Sequence, residues 1–543
     1  MIVCRRHFRI GKKLLPLLFA CAALLAFAAP QAHAGTPDVV ITSAGPVRGV
    51  VYDGVREFKG IPYAAPPVGA LRWAMPQPVK PWTEIRDASK YGNACPQVSR
   101  YGLTAASDTE DCLTVNVTTP WNGVAPQKQL PVLVWIHGGA FVGGSSALYP
   151  LAHLARAGNI VVVSLNYRLG VFGFMANPAF GKAHDGGYGL EDQRFALRWV
   201  QKNIAAFGGN PNNVTIAGES AGASSVCMHV ISPQETKGLF EKAIIQSGGC
   251  AAPLHSLAQG NAFGQKVAAL AGCTDEKTEL ACLRAKPVET LLQAGVKASG
   301  GDLMSFAPLV GAQTVPLQWN AAFAAGRYVN VPVMNGGTRD ELRLYVAYDI
   351  QAGEKIDDAT YPAALKTVYG NNAETVLKEY PRAAYSSAPA ALGSVMSDFN
   401  PEVGLNNSLY LDAAKLMTRH EPVYELEFAD PNAPAVTADP GFEMGAVHSS
   451  ELPYLFPHFD NTTSLAGPEL SPDSQKLSDQ LVAYWTSFVK TGHPLAPESP
   501  VWPRYTADDD VMLFYPGKTG LYDATVQHKC IFWKALYPRI LTE

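Results

Sequence analysis

No run of lysine or arginine interrupts this chain beyond its first 34 residues, and Asp, Glu, Lys and Arg together make up only 17% of it. Without a basic stripe nothing is placed to neutralise a phosphate backbone, so nucleic acid and anionic membrane surfaces are excluded as partners. No internal repeat and no low-complexity linker appears, which argues against a repeat or disordered protein. No Cys/His grouping has the spacing of a zinc site, so no metal is expected. The apolar run at the amino terminus, Leu14 to Pro30, falls short of the ~20 residues that span a bilayer, so stable membrane insertion is not expected either.

What is present is the composition of a globular protein with many loops: 47% hydrophobic residues, 48 Gly and 41 Pro in 543 positions. The start has the build of an export leader. Arg5, Arg6, Arg9, Lys12 and Lys13 precede the apolar run, and Ala32-His33-Ala34 supplies the small residues a signal peptidase reads. Residues 1–34 are thus expected to be a signal peptide cut after Ala34, with 35–543 as one domain in a secreted or periplasmic protein. Arg5-Arg6-His7-Phe8 resembles a twin-arginine signal, whereas the apolar residues after Cys21 argue against a lipoprotein site. The leader holds five of the 43 Lys and Arg and none of the 47 Asp and Glu, so the remainder carries 38 minus 47, or −9. Seven of the nine cysteines lie beyond it. Cys95 and Cys112, and Cys273 and Cys282, flank short loops suited to staples in an oxidising compartment, leaving Cys227, Cys250 and Cys530 unassigned.

Apolar runs of strand length recur at 131–136, 160–165, 213–217 and 243–245, with amphipathic stretches such as Leu190 to Ile204 between them. Runs apolar on both faces suit central strands covered on both sides. The fold expected is α/β, a large, mostly parallel central sheet with helices on both faces. Alternating strands are expected at 39–41 and 47–51, a returning strand at 423–428 and an amphipathic helix from Ser474 to Lys490. Residues 255 to 420 read as helical insertions over the carboxyl edge of the sheet, where ligands bind in open α/β folds.

Two motifs fall on strand ends. Gly218-Glu219-Ser220-Ala221-Gly222 follows the run 213–217 and opens a helical stretch, Ala223 to Val230. Its pattern is that of a nucleophile elbow: a sharp strand-to-helix turn that exposes a serine above a helix amino terminus. His137-Gly138-Gly139-Ala140-Phe141 ends the run 131–136 and resembles a loop that presents backbone N–H groups to an oxyanion. His137 precedes the serine, and this fold runs Ser, acid, His, so it reads as a packing residue. The acid is expected after a later strand, where Asp340 and Glu341 both qualify. Of the seven histidines after Ser220, His448 leads, in a turn-like loop about twenty residues behind the run 423–428, while His420 reads as solvated and His493 lies in a Gly/Pro loop near the tail.

These residues resemble the type-B carboxylesterase/lipase family, which includes the cholinesterases, over nearly the whole chain. The likeness runs through Phe58-Lys59-Gly60-Ile61-Pro62-Tyr63-Ala64, Glu110-Asp111-Cys112-Leu113, Asn166-Tyr167-Arg168-Leu169-Gly170, Gly189-Leu190-Glu191-Asp192-Gln193, Phe207-Gly208-Gly209-Asn210-Pro211 and Gln246-Ser247-Gly248. The resemblance implies an α/β-hydrolase fold and a triad of Ser220, Glu341 and His448. It implies an oxyanion hole from the N–H groups of Gly139, Ala140 and Ala221, and polar support from Glu219, Ser247 and Glu451. It further implies disulfides Cys95–Cys112 and Cys273–Cys282, and ion pairs Arg72–Glu110 and Arg168–Asp192. Two departures stand out. Leu342 follows the acid where the family usually has Gly, and the 95–112 loop lacks the Trp that holds a quaternary ammonium in cholinesterases, so choline esters are not the expected substrate.

The activity implied is hydrolysis of a small-molecule carboxylic ester through an acyl-enzyme, with no metal or organic cofactor. Two rivals are a lipase acting on long-chain acylglycerols, for which Tyr101 to Ala106 is only mildly apolar as a lid, and a non-catalytic cholinesterase-like adhesion protein, from which the intact Ser, Glu and His set this chain apart. Phe141 is read as lining the pocket or packing beside it.

Overall fold

The computed structural model describes residues 38–541 except 100–104, 125–127, 182–185, 460–468 and 507–509. The leader, and the Tyr101–Thr104 part of the lid segment, lie outside the described residues.

Fourteen strands follow in chain order among the described residues: β1 (Val39–Ile41), β2 (Pro46–Arg48), β3 (Val50–Tyr52), β4 (Val55–Pro62), β5 (Arg86–Asp87), β6 (Thr114–Pro120), β7 (Leu130–Ile136), β8 (Val161–Leu165), β9 (Gly209–Glu219), β10 (Lys242–Gln246), β11 (Val333–Thr338), β12 (Val423–Phe428), β13 (Val511–Phe514) and β14 (Gly520–Tyr522). Eleven of them form one sheet in the order β14-β13-β12-β11-β10-β9-β7-β8-β6-β4-β3, and β1, β2 and β5 form a small second sheet. Every pairing from β8 through β7 and β9 to β13 is parallel, and the margins are antiparallel.

The apolar runs become central strands because both of their faces are covered. Along β7, Val132, Val134 and Ile136 enter one core with Leu190, Leu197 and Val200 of the helix Tyr188–Asn203. Leu133 and Trp135 enter the other, with Leu154 of the helix Ala152–Gly158 and Leu477, Leu481, Tyr484, Trp485 and Phe488 of the helix Pro472–Thr491. That last helix is capped by Ser471 Oγ, which accepts from Ser474 N at 3.1 Å, and it ends at Gly492 with φ 76°. Its apolar residues recur every three or four positions, the period that makes one buried stripe.

The chain steps outward from β7 to β8 and then back across β7 to β9. The connecting helices therefore lie on opposite faces, and a crevice opens at the carboxyl ends of β7 and β9. Both motifs sit there. The middle of the chain supplies helices that include Leu257–Leu270, Val288–Ser299, Arg343–Gln351, Ala388–Asp398 and Asn407–Met417, with β11 among them. No helix among the described residues is long and apolar enough to cross a membrane.

One expected strand is corrected. Residues 47–51 divide at Gly49, with β2 in the small sheet and β3 in the large one. A Cβ at Gly49 would come within 2.1 Å of Glu57 O, so the chain passes β4 too closely for any other residue and changes sheets there.

Candidate active site

The candidate serine, acid and histidine all lie beyond the carboxyl ends of parallel strands. β9 ends at Glu219, and Ser220 takes φ 59° and ψ −125° before the helix Ala221–Val230 begins. That conformation costs a non-glycine residue about 1–3 kcal/mol. It is held because Ser220 N donates to Gln246 O at 3.0 Å, and because both glycines of the motif are sterically required. A Cβ on Gly222 would stand 2.0 Å from Ile136 O, and one on Gly218 would stand 2.4 Å from Gly222 C. The helix begins two residues earlier than the sequence suggests, directly after the serine.

The loop after β7 folds against this turn: a Cβ on Gly138 would lie 3.0 Å from Ser220 Cβ. Gly139, Ala140 and Phe141 all take positive φ, at 113°, 52° and 61°, which turns the N–H groups of the loop away from the sheet ladder. Among the described residues, no protein acceptor takes the N–H groups of Gly139, Ala140 or Ala221. Unsatisfied donors beside a serine that lines a cavity form a cradle for negative charge. His137 is buried under Tyr167, ring to ring at 4.4 Å, with Nδ1 2.8 Å from Gly138 O. Burial pushes it down to about 4, so it stays neutral and serves as packing.

Glu341 follows β11 by three residues and is fully buried. Its Oε2 stands 2.6 Å from His448 Nδ1, while its Oε1 accepts from Ser247 Oγ at 2.5 Å, Thr338 N at 2.9 Å and Tyr410 OH at 3.1 Å. Burial favours the neutral acid, but His448 and these donors outweigh it and hold Glu341 below the ordinary carboxylate range. Asp340 points elsewhere. Its Oδ2 accepts from Ala446 N at 3.0 Å and its Oδ1 pairs with Arg343 at 3.2 Å, which ties the histidine loop to the acid loop. Leu342, the departure from the family pattern, is buried, and its N–H donates to Ser397 Oγ at 2.9 Å.

On its other edge, His448 Nε2 lies 3.2 Å from Glu219 Oε1, an oxygen that also accepts from Ser449 Oγ at 2.7 Å. No hydrogen bond joins the ring to the Ser220 hydroxyl among the described residues, although both groups line one cavity. Burial lowers His448, but Glu219 and then Glu341 overcome it and push the ring up to about 9. Glu451, held by Gln246 Nε2 at 3.1 Å, is pushed up to about 8 by burial and by Glu219 and Glu341. Three carboxyl groups thus surround one imidazole.

The remaining predicted residues are placed as follows. Arg72 grips Glu110 through Nε at 2.6 Å and Nη2 at 2.7 Å, and Arg168 grips Asp192 through Nε and Nη2, both at 2.8 Å. Disulfides join Cys95 to Cys112, Cys273 to Cys282 and, unassigned from sequence, Cys227 to Cys250. Cys530 Sγ lies buried 3.3 Å from Ser408 Oγ. Phe141 combines its two alternatives, packing on Phe174 at 4.7 Å while lining the larger cavity at Ser220. His420 is exposed beside Tyr328, and His493 is exposed as well. Tyr410 had no sequence signal as a partner of Glu341, because it belongs to a segment that only folding brings there; Asp340 and Ser449 neighbour Glu341 and His448 in the chain, but no local pattern shows which way their side chains turn. Among the described residues, no group of three or more His, Cys, Asp or Glu is arranged to hold a metal ion.

A parallel sheet crossed at this switch point, with a serine elbow at its carboxyl edge, defines the α/β-hydrolase fold. The carboxylesterase family model matches residues 36–533, and the chain belongs to that family. It is similar to the para-nitrobenzyl esterase of Bacillus subtilis, 36% identical over 490 residues that cover 87% of this chain and 93% of that protein. It is also similar to the fumonisin B1 esterase of Sphingopyxis macrogoltabida, 33% identical over 87% of this chain and 85% of the relative. Among solved structures, a thermophilic PNB esterase superposes with a TM-score of 0.77 at 32% identity, covering 91% of this chain and 100% of the other. The chain is a carboxylic-ester hydrolase.

Proposed function

We propose that the protein is an exported esterase in which Ser220 attacks the ester carbonyl, His448 carries the proton and Glu341 orients and balances His448. The observation that carries this reading is the meeting of three separate strand ends in one pocket: a strained serine after β9, an acid and imidazole 2.6 Å apart from beyond β11 and β12, and three unengaged N–H groups beside them.

In the first half-reaction the Ser220 proton passes to His448 Nε2 as Oγ bonds to the carbonyl carbon. Nε2, which rests 3.2 Å from Glu219 Oε1, has to turn to the serine oxygen for this step. The N–H groups of Gly139, Ala140 and Ala221 hold the oxyanion, each such donor contributing about 2.7–4 kcal/mol of barrier lowering. The imidazolium then protonates the leaving alkoxide. Water, deprotonated by the same ring, releases the acid from Ser220. Residues 35–543 form the catalytic domain and 1–34 the leader. Three disulfides favour an oxidising compartment.

The test is Ser220→Ala and His448→Ala, assayed on a soluble short-chain ester. Each is expected to lower kcat/KM by at least about a thousandfold while leaving the melting temperature near wild type. Retained activity in either variant overturns the assignment.

A further inference from the structure

Two cavities of very different size meet at Ser220. One, about 60 Å³, is lined by His448 and Glu219 together with Leu148, Tyr149, Leu452 and Phe459. The other, about 340 Å³, is mostly apolar, walled by Phe141, Met228, Leu342 and Met396 with Asp349 and Glu402 also in its lining, and His448 is not among its lining residues. Ala140, Ser220, Tyr345 and Tyr348 line both. The two tyrosines lie one helical turn apart on Arg343–Gln351, with rings 6.1 Å from each other, and the Tyr345 ring is 6.0 Å from that of His448.

The chemistry assigns a role to each cavity. When the ester C–O bond breaks, the carbonyl carbon is on Ser220 Oγ and its oxygen is in the N–H cradle. The departing oxygen takes its proton from His448, so the alcohol has to lie on the histidine side. The acyl chain, bonded to the same carbon, is left the other cavity. A single water needs roughly 10–15 Å³ on this measure, so the histidine-side cavity holds about four or five water-sized groups and the other more than twenty.

We propose that this esterase is specific for esters of bulky, apolar acids with small alcohols, the acyl chain lying along Phe141, Met228 and Leu342 and the alcohol confined by Tyr149 and Phe459. The partition rests on the assignment of His448 as proton donor to the leaving group. Tyr345 is a specificity-determining residue on this account, since it stands between the two cavities with its ring 6.0 Å from that of His448. Leu342 gains a role as well: the side chain that replaces the usual family Gly forms part of the acyl wall.

Two isomeric esters, methyl 4-phenylbutanoate and 3-phenylpropyl acetate, place the same phenylalkyl group on opposite sides of the carbonyl. The full-length mature enzyme is expected to cleave the methyl ester with at least tenfold higher kcat/KM. Tyr345→Ala is expected to narrow that ratio severalfold, chiefly through faster cleavage of the acetate. Equal rates, a preference for the acetate or no cleavage of the methyl ester overturns the partition. An unchanged ratio in Tyr345→Ala removes that residue from it. His448→Ala separates the two ideas. If it is inactive on both isomers and wild type prefers the acetate, only the partition fails; if it stays active, the proton-donor assignment beneath the partition fails too.

Discussion

Glu219 occupies the edge of His448 that the proposed mechanism turns toward Ser220. Its carboxylate, next to the nucleophile in sequence, is the strongest of the influences raising the ring. A general base has to be neutral, so with His448 as the proposed base activity is expected to rise with pH as the ring loses its proton, and the raised ring places that limb high. Glu219→Gln removes the main upward pull. The acidic limb of kcat/KM should therefore move to lower pH, and an unmoved limb would show that Glu219 does not act on the ring. Ser247 works one step further out, donating to Glu341 Oε1 at 2.5 Å in a fully buried setting. A hydrogen bond to a buried carboxylate contributes about 1.5–3 kcal/mol. Ser247→Ala should accordingly lower kcat by roughly 10- to 100-fold with little change in KM, measured by steady-state kinetics.

Among the elements, the helix Ala221–Val230 behind Ser220 is held at two points. Its start is pressed against β7 through Gly222, and Cys227 bonds to Cys250 in the segment after β10, closing a separation of 23 residues. That same segment continues into Ala252 and Leu254 of the large cavity. Both cysteines are buried, so the bond acts as a constraint on the chain and not as an exposed thiol pair. Loop-closure entropy sets its contribution at about 3 kcal/mol. The double variant Cys227→Ala, Cys250→Ala should unfold at a lower temperature by calorimetry, with catalysis at 25 °C largely retained. An unchanged melting temperature would show that the bond constrains nothing.

Across the whole molecule, the carboxyl-terminal segment is joined to the sheet by a buried charge network. His528 Nδ1 stands 2.7 Å from Asp398 Oδ1, and its Nε2 contacts Glu427, which also pairs with Arg339 at 2.6 Å and accepts from Tyr522. Tyr380 OH completes the set on Asp398 at 2.8 Å. Burial opposes the charge on His528, but Glu427 and Asp398 push it up to about 10. A group raised on folding stabilises fully below its unfolded value, about 6.5, and loses that contribution as pH climbs through the folded value. The melting temperature of wild type should therefore fall between pH 7 and 10 more steeply than that of His528→Gln. Parallel curves would remove His528 from the alkaline response.

Legibility from sequence followed burial. Strands β7, β8, β9 and β10 announce themselves through runs apolar on both faces, β12 through the alternation of Tyr424, Leu426 and Phe428 with Glu425 and Glu427, and the helix Pro472–Thr491 because its apolar stripe keeps one period. β6 escapes the same reading because Thr114, Asn116, Thr118 and Thr119 are buried polar residues within it.

By itself, the sequence determined the fold class, the serine elbow with its two obligatory glycines, the N–H loop, and the short candidate set for acid and base. These are local features, set by periodicity and by which side chains a tight turn admits. Tertiary structure alone decided that His448 rests against Glu219, that Asp340 clamps a loop while Glu341 faces the ring, that Cys227 meets Cys250, and that the space around Ser220 divides unequally. Each of these depends on distances between segments far apart in the chain, and no local pattern encodes a distance.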